Sequence, residues 1–207
     1  MSALDAALGA RKVVIEVPAA GVEDWVAVAE LLVQEGLSAW ALPPALIACL
    51  PGVVALFGRR ARVGVTGLTD AADVRRAVDA GAHFLLAPIA CPSLAEAAGD
   101  VPLVQGGLTP TEIAAVARAG AGAAAVMVAP ADALGTTYAR TLPALFSNVA
   151  LLASGRLEHY QCAMWLGAGA RAVLVSEVVL RTVGGNALDQ VADRALSFRS
   201  VLSENGC

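Results

Sequence analysis

Apolar residues in this chain come in runs of about 5–8, broken by glycine, proline or charge, and they alternate with longer stretches of helical spacing. The apolar runs predict strands over Lys12–Val17, Leu37–Leu42, Arg62–Thr66, His83–Ala87, Pro102–Gln105, Ala123–Val128, Val149–Ala153 and Ala172–Ser176. Between and after them, helices are expected over Val22–Gln34, Pro44–Leu56, Ala71–Ala80, Ser93–Ala98, Pro110–Ala119, Ala133–Leu145, Glu158–Leu166 and Ala187–Ser203. Gly36 and Gly81 stand where left-handed caps end helices, and Thr69 or Asp70 stands where one begins. The strands are apolar on both faces, as parallel strands covered by helices must be. Eight such units predict an α/β fold, an eight-stranded parallel (β/α)8 TIM barrel. A doubly wound open sheet is the alternative; in both folds ligands bind beyond the carboxyl ends of the strands.

At 207 residues and 57% hydrophobic, the chain is expected to form one domain over 1–207. Residues 1–11 are a short lead-in and 186–207 carry a C-terminal helix. No apolar run approaches the roughly 18 residues of a membrane helix, and the first residues do not read as a secretion signal. The net charge is −4, and the only arginine clusters, Arg59-Arg60-Ala61-Arg62 and Arg75-Arg76, read as solvated helix ends. This argues against nucleic acid as a partner and against a membrane. Cys49, Cys91, Cys162 and Cys207 lack metal-like spacing and read as reduced thiols, with Cys49 and Cys162 expected in the core. The expected location is cytoplasmic.

Candidate chemistry belongs at the strand tops, which carry Pro18, Leu42-Pro43-Pro44, Thr66-Gly67, Pro88, Gln105-Gly106-Gly107, Ala129-Pro130, Ser154-Gly155-Arg156 and Ser176-Glu177. Most are small or apolar. Glu16 and Glu177 form a conceivable acid/base pair; alternatively, Glu16 is neutralised by an arginine or points outward at the rim. Ser154-Gly155-Arg156 precedes a helix start and would present backbone N–H groups to an anion, but Glu177 would repel one. Arg156 either pairs with Glu177 or grips a ligand carboxylate or phosphate. His83 falls at the barrel bottom and His159 in the first turn of a helix, so they make no metal site together. Trp25 and Trp165 read as packing residues, and Trp40 faces the helix layer.

Two stretches, Asp79-Ala80-Gly81-Ala82-His83-Phe84-Leu85-Leu86-Ala87-Pro88 and Pro102-Leu103-Val104-Gln105-Gly106-Gly107-Leu108-Thr109-Pro110-Thr111-Glu112, carry a family likeness. With Val63-Gly64-Val65-Thr66-Gly67 and Ala129-Pro130-Ala131-Asp132, they resemble the 2-keto-3-deoxy-6-phosphogluconate (KDPG) / 4-hydroxy-2-oxoglutarate (KHG) aldolase family over about residues 12 to 200. The resemblance implies an eight-stranded barrel, a homotrimer and a Schiff-base lysine three residues before Pro130, where this chain has Met127. The family's acid/base glutamate falls within Ser38-Ala39-Trp40-Ala41-Leu42, at about Ala41, and its carboxylate-gripping arginine at about Pro18. The proline-glycine pair of strand five is Gln105-Gly106. The phosphate loop keeps Ser154-Gly155 but has Arg156 for its second glycine, and the last Gly-Ser falls on Ser176-Glu177. The one lysine, Lys12, begins the first strand, about five residues or roughly 16 Å from the strand top.

Only an amine forms the iminium such an aldolase needs. The expectation is therefore an aldolase-like barrel without Schiff-base chemistry, serving binding, regulation or assembly. The alternative is a lyase or isomerase acting on a small 2-oxo acid through Glu16, Glu177 and Arg156. Candidate ligand or anion contacts are Thr66, Gln105, Gly106, Ser154, Gly155, Arg156 and Ser176, with no cofactor and no metal. The expected partners are a homotrimer and a small 2-oxo acid or other small anion.

Overall fold

In the computed structural model, which describes residues 1–19, 25–119, 124–180 and 187–204, eight short strands lie parallel and close in chain order. They are β1 (Val13–Glu16), β2 (Ala39–Leu42), β3 (Arg62–Val65), β4 (Leu85–Ala87), β5 (Leu103–Gly106), β6 (Ala125–Val128), β7 (Ala150–Gly155) and β8 (Ala172–Val175), with β8 pairing back onto β1. The outer helices are α2 (Trp25–Gln34), α3 (Leu50–Phe57), α4 (Ala71–Asp79), α5 (Pro92–Ala98), α6 (Pro110–Ala119), α7 (Thr136–Leu145), α8 (His159–Gly167) and α9 (Ala187–Glu204). An additional helix, α1 (Ala3–Leu8), precedes the barrel. The closed (β/α)8 TIM barrel is the predicted fold, and the open sheet is excluded by the β1–β8 pairing.

Strand alternation sorts the apolar side chains into two cores. Val13, Ile15, Trp40, Val63, Val126, Leu151 and Val173 face outward beneath the helices. There Trp40 meets Trp25 and Phe57 edge to face, at ring separations of 5.6 and 5.2 Å. Val14, Ala39, Ala41, Phe84, Leu86, Val104, Met127, Leu152 and Leu174 face the barrel axis. Leu4, Ala7 and Leu8 of α1 join this inner core from below, so the barrel floor is packed shut.

Several boundaries differ from the expectation for local reasons. The lead-in 1–11 is largely helical: Ser2 and Asp5 form a reciprocal cap, and Arg11 with two arginines from distant elements takes the last carbonyls of α1. Arg62 donates to the carbonyls of Ala7 (3.0 Å) and Ala6 (3.2 Å), Arg11 to Leu8, and Arg171 to Gly9 as well as to Asp5 (2.8 Å). Positive charge at a helix C-terminus is favourable. The helix expected over Pro44–Leu56 is split into a 3-10 segment, Pro44–Cys49, and α3, which starts at Leu50. Three residues per turn direct Ile47 and Leu50 inward and turn Cys49 out, so Cys49 is exposed rather than in the core, whereas Cys162 is buried as expected. The start of β4 is delayed to Leu85, because the His83 side chain accepts the Val63 N–H (3.0 Å) beside the ladder. Burial and the charges of Arg62 and Arg11 hold this imidazole below its ordinary pKa.

The expected caps are present. Asp70 accepts the Ala72 N–H, and Gly36 has φ +79 with the Leu37 N–H returning to the Leu32 carbonyl (2.8 Å). The expected helix residues before Trp25, the start of the sixth strand at Ala123, and Cys207 lie outside the described residues.

Candidate functional site at the strand tops

A cavity of about 330 Å3 opens at the carboxyl ends of the strands, where this fold binds its ligands. A second groove, of about 380 Å3, lies on the outer surface between α2 and α9, around Leu31, Gln34, Leu188 and Ala192. It has no strand-top residue, so the chemistry is sought at the barrel mouth.

Glu16 closes β1 opposite Ala41 and reaches the cavity wall half-buried. The Ser176 hydroxyl donates to its Oε2. Burial pushes the Glu16 carboxyl above its ordinary pKa; the Ser176 hydrogen bond opposes that shift and the nearby Glu177 charge adds to it. Ser176 is itself fixed by its N–H to the Gly155 carbonyl (2.9 Å).

Thr66 and Ser154 line the same cavity and are only 4% and 5% exposed. Their backbones are engaged: the Thr66 N–H donates to Leu42, and the Ser154 carbonyl accepts from Ala131. Their hydroxyls have no hydrogen-bond partner among the described residues. Met127 and Ala129 supply apolar wall, with Pro88 and Pro130, the latter after a cis peptide bond. Ala41 is fully buried in the inner core and offers no polar group. Gly106 allows the β4 end to approach: a Cβ there would lie 2.2 Å from the Pro88 carbonyl oxygen. Gly155 likewise leaves room for Asp132, whose Oδ1 lies 2.0 Å from where a Cβ would be.

The remaining expected contacts fall elsewhere. Gln105 lies in register with Ala87 and Val126 on the outward face, and its amide clasps the Cys91 backbone, accepting at 2.9 Å and donating at 3.2 Å. It therefore ties the loop after β4 to β5 instead of meeting a ligand. Arg156 pairs with Glu177 at 3.5 Å, one of the two arrangements expected, with both side chains well exposed. Such a pair contributes little in water. Pro18 is half-buried beyond β1 and is not part of the cavity wall. Lys12 stands at the opposite end of β1, where its carbonyl accepts the Val173 N–H. His159 is exposed beside Tyr160.

The sequence reading did not place Asp132 at the mouth. Its only signal was a position two residues after Pro130, in the loop that carries the family likeness. Among the described residues no three of His, Cys, Asp and Glu gather as a metal-binding group, and no helix is long and apolar enough to cross a membrane.

No family model matches the chain, and no curated protein matches it. Solved structures do. The KDPG aldolase from Zymomonas mobilis superposes with a TM-score of 0.81 at 17% identity, over 95% of this chain and 96% of that one. The KDPG aldolase from Legionella pneumophila, with pyruvate captured as a covalent carbinolamine, has a TM-score of 0.74 at 19% identity, over 91% and 95%. A designed porous protein cage made by fusing symmetric oligomeric domains has a TM-score of 0.81 at 20% identity, over 94% of this chain and 73% of its own. At these identities the likeness establishes an aldolase-like TIM barrel as the fold.

Proposed function

We propose that this protein is a divergent homologue of the KDPG/KHG aldolases that has lost Schiff-base chemistry and keeps the barrel mouth as a small-molecule binding site, in a binding, regulatory or assembly role. The observation that carries this reading is Met127. It lines the mouth at the position the resemblance assigns to the lysine, while Lys12 lies at the other end of the barrel. A thioether cannot form an iminium, and the retained wall of buried hydroxyls and apolar groups is suited to binding.

The test is to mix the protein with pyruvate, reduce with borohydride and read the intact mass. The expected result is no pyruvyl adduct. A stoichiometric adduct on Lys12 would overturn the reading.

One observation favours a second reading, a lyase or isomerase working without covalent catalysis. Glu16 sits in an open cavity, paired with a hydroxyl rather than an arginine, and burial raises its pKa. Glu177 and Arg156 would contribute from the rim.

A further inference from the structure

We propose that the barrel mouth binds a small primary amine in its ammonium form, held by Glu16, and selects against carboxylate ligands. The inference rests on the reading of the mouth as a binding site and departs from the anionic ligand expected from the sequence.

Charge is the first argument. The only ionisable side chain on the cavity wall among the described residues is Glu16. Glu177 beyond β8 is, among the described residues, the charge that acts on Glu16; Asp132 after β6 lies beside Gly155 of the wall, and Arg156 after β7 is engaged with Glu177 at the exposed rim. Among the described residues, no cation lines the cavity to receive a ligand carboxylate. A second carboxylate brought beside Glu16 meets like charge in a partly dehydrated space, whereas an ammonium supplies the countercharge that Glu16 lacks.

Hydrogen-bonding capacity points the same way. Ser176 occupies Oε2 of Glu16, and Oε1 has no hydrogen-bond partner among the described residues. Thr66 and Ser154 stand two strands away on either side of β1, more than nine-tenths buried, and their hydroxyls on the cavity wall have no hydrogen-bond partner among the described residues. An ammonium has three N–H donors and no acceptor, so a carboxylate oxygen and neighbouring hydroxyl oxygens are its complement. These hydroxyls open onto the cavity, so a ligand ammonium can take them as acceptors in place of water. The apolar surface of Met127, Ala129 and Pro88 suits a short hydrocarbon body. Burial raises the Glu16 pKa, a shift that an ammonium placed beside the carboxylate would oppose.

The test uses three probes of equal chain length, n-butylamine, 1-butanol and butyrate, together with pyruvate. Each is titrated into protein carrying 13C-methyl methionine at neutral pH. The chain has three methionines; Met127 reports the mouth, and Met164, packed in α8, reports that each variant is folded. Expected are a saturable Met127 shift with butylamine, at least tenfold weaker binding of 1-butanol and butyrate, and at least a tenfold loss of amine affinity in Glu16→Gln. Ser154→Ala and Thr66→Val should each weaken the amine about threefold, which keeps the test decisive should Glu16→Gln fail to fold. Butyrate or pyruvate binding more tightly than the amine would overturn the inference and leave the mouth standing as a ligand site. So would amine or alcohol binding that is indifferent to all three substitutions. If no probe moves Met127, the binding-site reading falls as well.

Discussion

Glu16 carries more consequence than any other single residue at the mouth. Burial raises its folded-state pKa above the ordinary 4.5, so the folded protein holds this proton more tightly than the unfolded chain does. The associated stability is fully present in acid and is lost as pH rises from the ordinary value through the folded one. Gln has no proton to lose. Denaturant midpoints measured from pH 4 to 8 should therefore show Glu16→Gln gaining on the wild type as pH rises, with the difference levelling off above the folded pKa; a pH-independent difference would contradict the burial argument. The sequence left Glu16 open between the barrel axis and the rim; Val13 and Ile15 facing out and Val14 facing in put it on the inward side. Gln105 was misplaced through the same alternation: in a four-residue strand a one-residue slip of register exchanges the faces. The unpartnered state of Thr66 and Ser154 was invisible in the sequence, because a hydroxyl's partners are set by neighbouring strands.

At the scale of elements, α1 is the instructive case. Its six residues are too few for helical periodicity to show, and Ser2 with Asp5 is a weaker sign of a helix start than a serine followed by Glu or Gln. Besides the local Arg11, the arginines that cap it come from β3 and from just before β8, contacts no linear reading reveals. Helices of this length do not persist alone, so α1 exists through its contact with the barrel floor. Leu4 is fully buried there while Leu56 of α3 is 62% exposed. Leu4→Ala should cost about 2–5 kcal/mol and Leu56→Ala less than about 0.5 kcal/mol, read from urea unfolding. Equal effects would mean that α1 is not part of the cooperative unit. The longer elements were legible because their apolar runs, caps and glycines agree. The 3-10 start before α3 was not, since Pro44 and Pro51 both suit a first helical turn.

For the whole molecule, alternating short strands and helices were enough to give the barrel, since a parallel sheet with helices between all its strands has few ways to close. Assembly is a different matter, settled by surfaces rather than by the order of elements. The outer helices present Leu145 and Tyr160, each 62% exposed, and the homotrimer implied by the family likeness would cover part of such apolar surface. Light scattering on the purified chain should give three times its 20.8 kDa mass; a monomer at all concentrations would remove the assembly role from the proposal. The floor of the barrel has a further consequence. With Leu4 and Leu8 wedged under the layers of Phe84, Leu86 and Leu174, the molecule is a cup rather than a tube. Whatever settles in the mouth must leave by the route it came in, so two occupants can only take turns: traffic through this protein is reversible exchange at one doorway, never passage from one side to the other.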